Sequence, residues 1–167
     1  MKNDATRKYS QFIEGANSAP RPRVLQLLQA GSFRFGIFAD EIAAIAEWRE
    51  PTPLPHAPKS VLGVVSIQGR MLTVLDLARL PGCEAASTES AAQHLVALRG
   101  DEQLALVADV VGETIELAND DFVTRLENKE TLIFGVLDRE DTAVYILNPK
   151  ELFPAAIQGR ERRRRRF

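Results

Sequence analysis

Phe35-Gly36-Ile37-Phe38-Ala39-Asp40 returns as Leu104-Ala105-Leu106-Val107-Ala108-Asp109, at an offset of 104 − 35 = 69. Each copy is an apolar run closed by Ala-Asp, with a glycine four positions ahead of it, Gly31 and Gly100. A second match follows in the same order. Gly63-Val64-Val65 aligns with Gly135-Val136-Leu137 at an offset of 135 − 63 = 72, and at that offset Leu72 to Leu75 meets Val144 to Leu147, Asp76 meets Asn148 and Leu80 meets Leu152. Unequal loops account for the difference between the two offsets. Two matches in one order mark a duplicated unit of about 70 residues.

The repeated stretches are strand-like. Val24 to Gln29 and Phe33 to Phe38 flank the turn Ala30-Gly31-Ser32, the pattern of a β-hairpin. Ile42 to Trp48 is apolar and ambiguous between strand and helix. Pro51, Pro53, Pro55 and Pro58 exclude helix and central strand, leaving an extended connector. Val61 to Ile67 and Met71 to Leu75 form a hairpin about Gln68-Gly69-Arg70, followed by one helical turn, Asp76 to Leu80, stopped by Pro81-Gly82. The second half repeats the plan with strands at His94 to Leu98, Leu104 to Val111, Thr114 to Leu117, Leu132 to Leu137 and Thr142 to Leu147. A loop runs from Asn119 to about Glu130, and a short helix from Lys150 to Phe153 opens behind Asn148-Pro149.

Units of this size, made of short strands with glycine corners, close best as small barrels, which removes exposed edges. The expected fold is all-β: two five-stranded barrels packed together, each followed by a short helix. The expected boundaries are a tail over 1–22, a folded region over 23–154 with barrels near 31–80 and 95–153 (some strand exchange near the N-terminus being allowed), and an Arg-rich tail over 155–167.

Composition narrows the function. With 45% hydrophobic and 26% charged residues, the chain is neither disordered nor fibrous. The formal charge of −2 hides an uneven spread. Residues 160–167 hold six Arg and one Glu, so the remainder carries 15 − 22 = −7, which argues against a nucleic-acid-binding core. A single cysteine, Cys83, excludes an intrachain disulfide or a thiolate cluster, and His56 and His94 alone do not make a zinc site. The sequence holds no apolar run of membrane-spanning length and no signal-peptide pattern near its start, so a cytoplasmic location is expected. No phosphate-binding glycine loop or nucleophile elbow is present. Asp40, Asp109 and His94 are the only candidates for acid–base chemistry. The repeat explains the two aspartates as strand-end turn residues, and His94 has no evident orienting partner. Cys83 has no activating neighbour in sequence. Trp48 reads as a lid over the first barrel, with an exposed binding anchor as the alternative. The Arg162 to Arg166 run reads as a solvated tail, with phosphate or acidic-lipid binding as the alternative.

The run Gly63-Val64-Val65-Ser66-Ile67-Gln68-Gly69-Arg70-Met71-Leu72-Thr73-Val74-Leu75-Asp76-Leu77 resembles the CheW-like family, whose pattern is G-V-x-N-L-R-G, then apolar residues and P-V-x-D-L. Pro58 to Leu62 and Leu106 to Val111 fit as well, so the resemblance spans about Val24 to Phe153. It implies two SH3-like barrels and a non-enzymatic scaffold adaptor, without cofactor or metal. Such an adaptor couples the cytoplasmic tips of chemoreceptors to the histidine kinase CheA through the kinase's own CheW-like regulatory domain. An adaptor of a pilus or developmental pathway, or a module with other protein partners, is the alternative. Ser66, Gln68 and Thr73 stand where the family has Asn, Arg and Pro, and Ala44 stands where it has a Glu that commonly pairs with that Arg. Both members of the pair are replaced, which a stable fold tolerates better than the loss of one. The expected receptor-contacting residues are Ile42, Ile45, Val64 and Gln68, with apolar contact taking the place of charge.

Overall fold

A computed structural model describes residues 22–80, 91–100, 102–118, 123–125 and 132–157. Both expected tails lie largely outside these residues, as does Cys83. Eleven strands occur among the described residues: β1 (Arg23–Ala30), β2 (Phe33–Phe38), β3 (Ile42–Glu47), β4 (Val61–Ile67), β5 (Arg70–Leu75), β6 (His94–Leu98), β7 (Leu104–Ala108), β8 (Val110–Leu117), β9 (Val123–Arg125), β10 (Ile133–Arg139) and β11 (Thr142–Leu147). They form two SH3-like sheets, ordered β8-β1-β2-β11-β10-β9 and β3-β6-β7-β5-β4. A 3₁₀ turn, Leu77–Arg79, follows β5; Pro149–Glu151 and a helical segment over 152–157 follow β11. The all-β expectation with short helices after each last hairpin holds.

The duplication is visible in the register. Thr73 of β5 pairs in parallel with Leu104 of β7. Tyr145 of β11 pairs in parallel with Phe35 of β2. These are equivalent pairs, since 145 − 73 = 72 and 104 − 35 = 69. Equivalence extends to the connectors. Thr52 bridges Val64 of β4, and Thr124 of β9 pairs Val136 of β10, again at the larger of the two offsets.

The expected division into 31–80 and 95–153 does not follow the sheets and needs correction. β1 and β2 join the late strands β8, β10 and β11, while β6 and β7 join the early strands β3, β4 and β5. Each repeat lends its first hairpin to the other repeat's sheet. A further correction concerns Leu104 to Val111, which is two strands broken at Asp109. There the Asp109 Oδ2 accepts the Gly31 N–H at 2.8 Å, and the Asp109 N–H donates to the Gln29 carbonyl at 2.8 Å. The chain turns at Asp109 and passes from one sheet to the other. Ile42 to Trp48 resolves as strand β3.

Exchange explains why β7 and the later part of β2, from Phe35 to Phe38, are apolar on both faces. In β7, Leu104, Leu106 and Ala108 face a core shared by the two sheets, together with Phe35, Ile37, Leu75, Leu147 and Leu152. Its alternate residues Ala105 and Val107 face the interior of their own sheet beside Val65, Leu72 and Val74. β2 does the same in reverse, with Phe38 in the interior formed by Leu25, Leu137, Val144 and Ile146. Alternation sends successive side chains to opposite faces, so a strand between two cores has no polar face.

Candidate functional site

The outer face of the β4–β5 hairpin is the first surface to consider. Val65 and Ile67 point inward, so Val64 and Ser66 point outward, and Met71 and Thr73 oppose Ser66 and Val64 on β5. Gln68 and Gly69 make the two-residue turn, with φ of 50° and 76°. Two positive φ values define the type I′ geometry that matches the twist of the strands. Gln68 is exposed at its tip.

β3 is an edge strand of the same sheet, and the chain after it closes on β4. The Trp48 N–H donates to the Gln93 carbonyl at 2.9 Å. Trp48 packs over the interior of the sheet with Ala44 and Ala46, which is the lid arrangement. Arg49 Nη1 donates to the Ser66 carbonyl at 3.2 Å. Thr52 then exchanges two bonds of 2.9 Å with Val64. The segment from Arg49 to Thr52 therefore runs antiparallel to β4 and brings the end of β3 toward the Gln68 turn.

The four expected receptor contacts divide. Ile45 is 45% exposed on the outer side of β3. Val64 is half-buried under the Thr52 bridge, and Gln68 is fully outward. Ile42 turns inward and packs against the shared core. Alternation alone separates it from Ile45, since Ile42 and Ile45 lie three residues apart on β3 and so face opposite sides. Sequence reading missed Met71, which is 59% exposed directly across from Ser66. Its signal was available: with Leu72 and Val74 inward, alternation sends Met71 out.

The acid–base candidates do not converge on a reactive centre. Asp109 is held by Gly31 at the turn between sheets. Asp40 pairs with Arg23 at 3.7 Å, its side chain 72% exposed, while the Arg23 guanidinium lies 3.5 Å over the Phe38 ring. His94 sits at the start of β6, in register with Glu47 and Ala108. Asp76 is buried as the cap of its 3₁₀ turn. Its Oδ1 accepts the Ala78 N–H at 3.0 Å, and Oδ2 lies 3.2 Å from Arg79 Nε. Desolvation raises its carboxyl above the ordinary aspartate value, Asp109 adds to the rise, and the Ala78 bond and Arg79 oppose it. Among the described residues, no group of three or more His, Cys, Asp or Glu is placed to hold a metal ion. No helix among them is long and apolar enough to cross a membrane.

The CheW-like domain model aligns with residues 25–156, which spans both sheets. The chain belongs to the CheW-like family. The CheW-like chain is 25% identical to the chemotaxis protein CheW of Rhizobium meliloti (strain 1021) over 137 residues, covering 80% of this chain and 88% of that protein. It is 26% identical to a probable chemotaxis protein CheW of Rhizobium etli over 98 residues, covering 59% and 63%. The crystal structure of the scaffolding protein TtCheW from Thermoanaerobacter tengcongensis matches it with a TM-score of 0.66 at 16% identity, over 80% of this chain and 88% of that one. That likeness is one of fold.

Proposed function

We propose that this CheW-like chain is a non-enzymatic cytoplasmic scaffold adaptor, coupling the cytoplasmic tip of a chemoreceptor to the histidine kinase CheA through the kinase's CheW-like regulatory domain. The observation that carries the reading is the family match, which runs through both sheets from residue 25 to residue 156. The structure gives physical support. Exchanged hairpins and a shared core make the two barrels one rigid body, so a partner on one barrel is held at a fixed distance and orientation from a partner on the other.

The receptor-contacting face in this reading carries Ile45, Val64 and Gln68 over a supporting Ile42, with Met71 extending it. Gln68 hydrogen-bonds as a neutral amide and lacks the charge-assisted fork of an arginine. Receptor binding through this face should therefore depend weakly on salt. The test is assembly of the purified chain with CheA and a receptor tip, followed by size-exclusion chromatography. A ternary complex is expected, and binding of neither partner would overturn the reading. Ile45→Asp, at an outward position, should lower receptor affinity at least tenfold and leave CheA binding unchanged. Unchanged receptor affinity would remove this face from the interface.

A further inference from the structure

Met71 is the most exposed large apolar side chain among the described residues. It belongs to none of the three apolar clusters. Its outward direction is fixed by its neighbours. Leu72 and Val74 of β5 are fully buried, and β5 is joined to β4 through the tight turn at Gln68 and Gly69. A register slip of one residue would bring Leu72 and Val74 to the surface, so the thioether cannot withdraw into the barrel. The fold does not call for it either. At the larger repeat offset, 143 − 71 = 72, the second hairpin carries Ala143 in its place. The cross-strand pair Ser66 and Met71 returns there as Asp138 and Ala143.

Exposure of this kind makes the sulfur reactive. A thioether needs no deprotonation to act as a nucleophile, so access to solvent decides how fast it is oxidised. The sequence holds two methionines, Met1 and Met71, so oxidation of methionine within the folded region falls on one position. The product changes what the face can bind. A sulfoxide is a strong hydrogen-bond acceptor, and carrying it out of water against an apolar partner without a donor is unfavourable. The free chain pays nothing for it, because Met71 already stands in solvent.

We propose that Met71 is a reversible oxidation site at which a peroxide switches off receptor docking on the β3–β5 face. The inference rests on the adaptor reading and adds a regulation to the face named there. In the forward step a lone pair of Met71 Sδ attacks one peroxide oxygen. The O–O bond breaks, an S–O bond forms, and the departing hydroxide takes up a proton and leaves as water. Sulfur is oxidised by two electrons and the peroxide is reduced by two. In the reverse step a sulfoxide reductase draws two electrons from a pair of thiols, which close to a disulfide, and the oxygen leaves as water. A bound receptor covers Met71, so the oxidant acts on the unassembled chain. The oxidation therefore governs entry into the complex.

The test treats the full chain with hydrogen peroxide and then with dithiothreitol, which returns a reversibly oxidised Cys83 to the thiol and leaves a sulfoxide in place. Peptide mass spectrometry locates the added oxygen. Affinity for the receptor tip should fall about tenfold, with CheA binding and Tm unchanged. Two sulfoxide reductases, one for each epimer, should restore it with dithiothreitol as the thiol source. Met71→Leu should bind the receptor tip before and after peroxide, with Met1 and Cys83 present as internal controls. Met71→Gln, polar and unoxidised, should bind weakly from the start. A chain saturated with receptor tip should oxidise at Met71 more slowly than the free chain. Full conversion to the sulfoxide with receptor affinity unchanged would overturn the inference. So would an equal loss in Met71→Leu, an equal oxidation rate in the bound chain, or a loss of CheA binding in step with receptor binding. An untreated chain that binds no receptor tip overturns the adaptor reading itself, before any oxidant is added. A chain that binds equally well in both states overturns the switch alone.

Discussion

Two carboxylates, Glu41 and Asp76, are held where burial disfavours their charge, and each makes a stability prediction. For Glu41 the folded carboxyl lies above its ordinary value, with Asp40, Arg23 and Lys150 facing it. The folded state then binds its proton more tightly than the unfolded state. The contribution of Glu41 to stability is greatest below the ordinary glutamate value of about 4.3, falls as pH rises through the raised folded value, and is least at neutral pH. Glu41→Gln should therefore raise Tm at neutral pH, by a margin that shrinks toward zero below about pH 4. Calorimetry across that range checks it, and a constant margin would assign the effect to packing. Asp76 adds a capping role. Asn148 occupies its place in the second repeat, at 148 − 76 = 72. Asp76→Asn keeps an acceptor for the Ala78 N–H and sheds the desolvated charge. It gives up a pair with Arg79 that is weak because Arg79 is mostly exposed. Urea unfolding should place Asp76→Asn within about 1 kcal/mol of the parent and Asp76→Ala about 1–2 kcal/mol below it.

At the scale of elements, close approach and turn geometry set the strongest local constraints. Gly63 sits at the β4 bulge with φ of 146°, and a Cβ there would run into the Thr52 carbonyl oxygen. Gly69 has φ of 76° but open space around it. Both positions strain an L side chain, while only Gly63 also displaces backbone, so Gly63→Ala should cost about 3 kcal/mol or more and Gly69→Ala about 1 kcal/mol. Chemical denaturation of the pair checks the order, and a larger loss at Gly69 would refute the packing argument. The β10–β11 turn places Glu140 and Asp141 at φ of 48° and 60°. Asn-Gly suits those angles better and should add about 0.5–1 kcal/mol. These features also mark how far the sequence could be read. Strand periods and glycine corners located nearly every element, and the two repeat offsets gave equivalences that the register follows down to Thr52 and Thr124. The break at Asp109 was hidden because Leu104 to Val111 is apolar throughout apart from that aspartate, and the tie that breaks it comes from the distant Gly31. β9 was hidden because so short a strand carries too little period to register. The family likeness pointed to the β3–β5 face. The opposite facing of Ile42 and Ile45 was there to be read, because residues three apart on a strand face opposite sides. That Glu41 Oε2 is buried without a hydrogen-bond partner among the described residues depends on tertiary packing, which leaves no mark in local sequence.

At the scale of the whole molecule, the exchanged hairpins couple the two repeats more tightly than separate barrels would be coupled. Period identifies a strand but not its partner, so the repeat allowed exchange near the N-terminus without showing which strands are exchanged. Cutting the chain between Leu80 and Ala91 leaves residues 1–80 with β1–β5 and residues 91–167 with β6–β11. In the first fragment β3 loses β6, its only ladder partner among the described strands, and β2 and β5 lose their parallel partners β11 and β7. What remains is two isolated hairpins, which are marginal in water. The second fragment loses β1 and β2 in the same way, leaving β8 without its β1 ladder. Neither fragment should fold alone, and an equimolar mixture should give a folded 1:1 complex. Because β1 and β2 are the repeat equivalents of β6 and β7, the competing outcome is a homodimer of residues 1–80 in which each copy lends its hairpin to the other. That arrangement seats Phe38 where Val107 now lies, 2% exposed in a filled interior. Overpacking of that kind costs about 1–3 kcal/mol at each of two sites, so the mixed complex should prevail. Circular dichroism of the separate and mixed fragments, with sedimentation to fix the stoichiometry, decides among the outcomes. A folded monomer of either fragment would mean that one repeat closes its own sheet, and the exchange would then not be what holds the two barrels together.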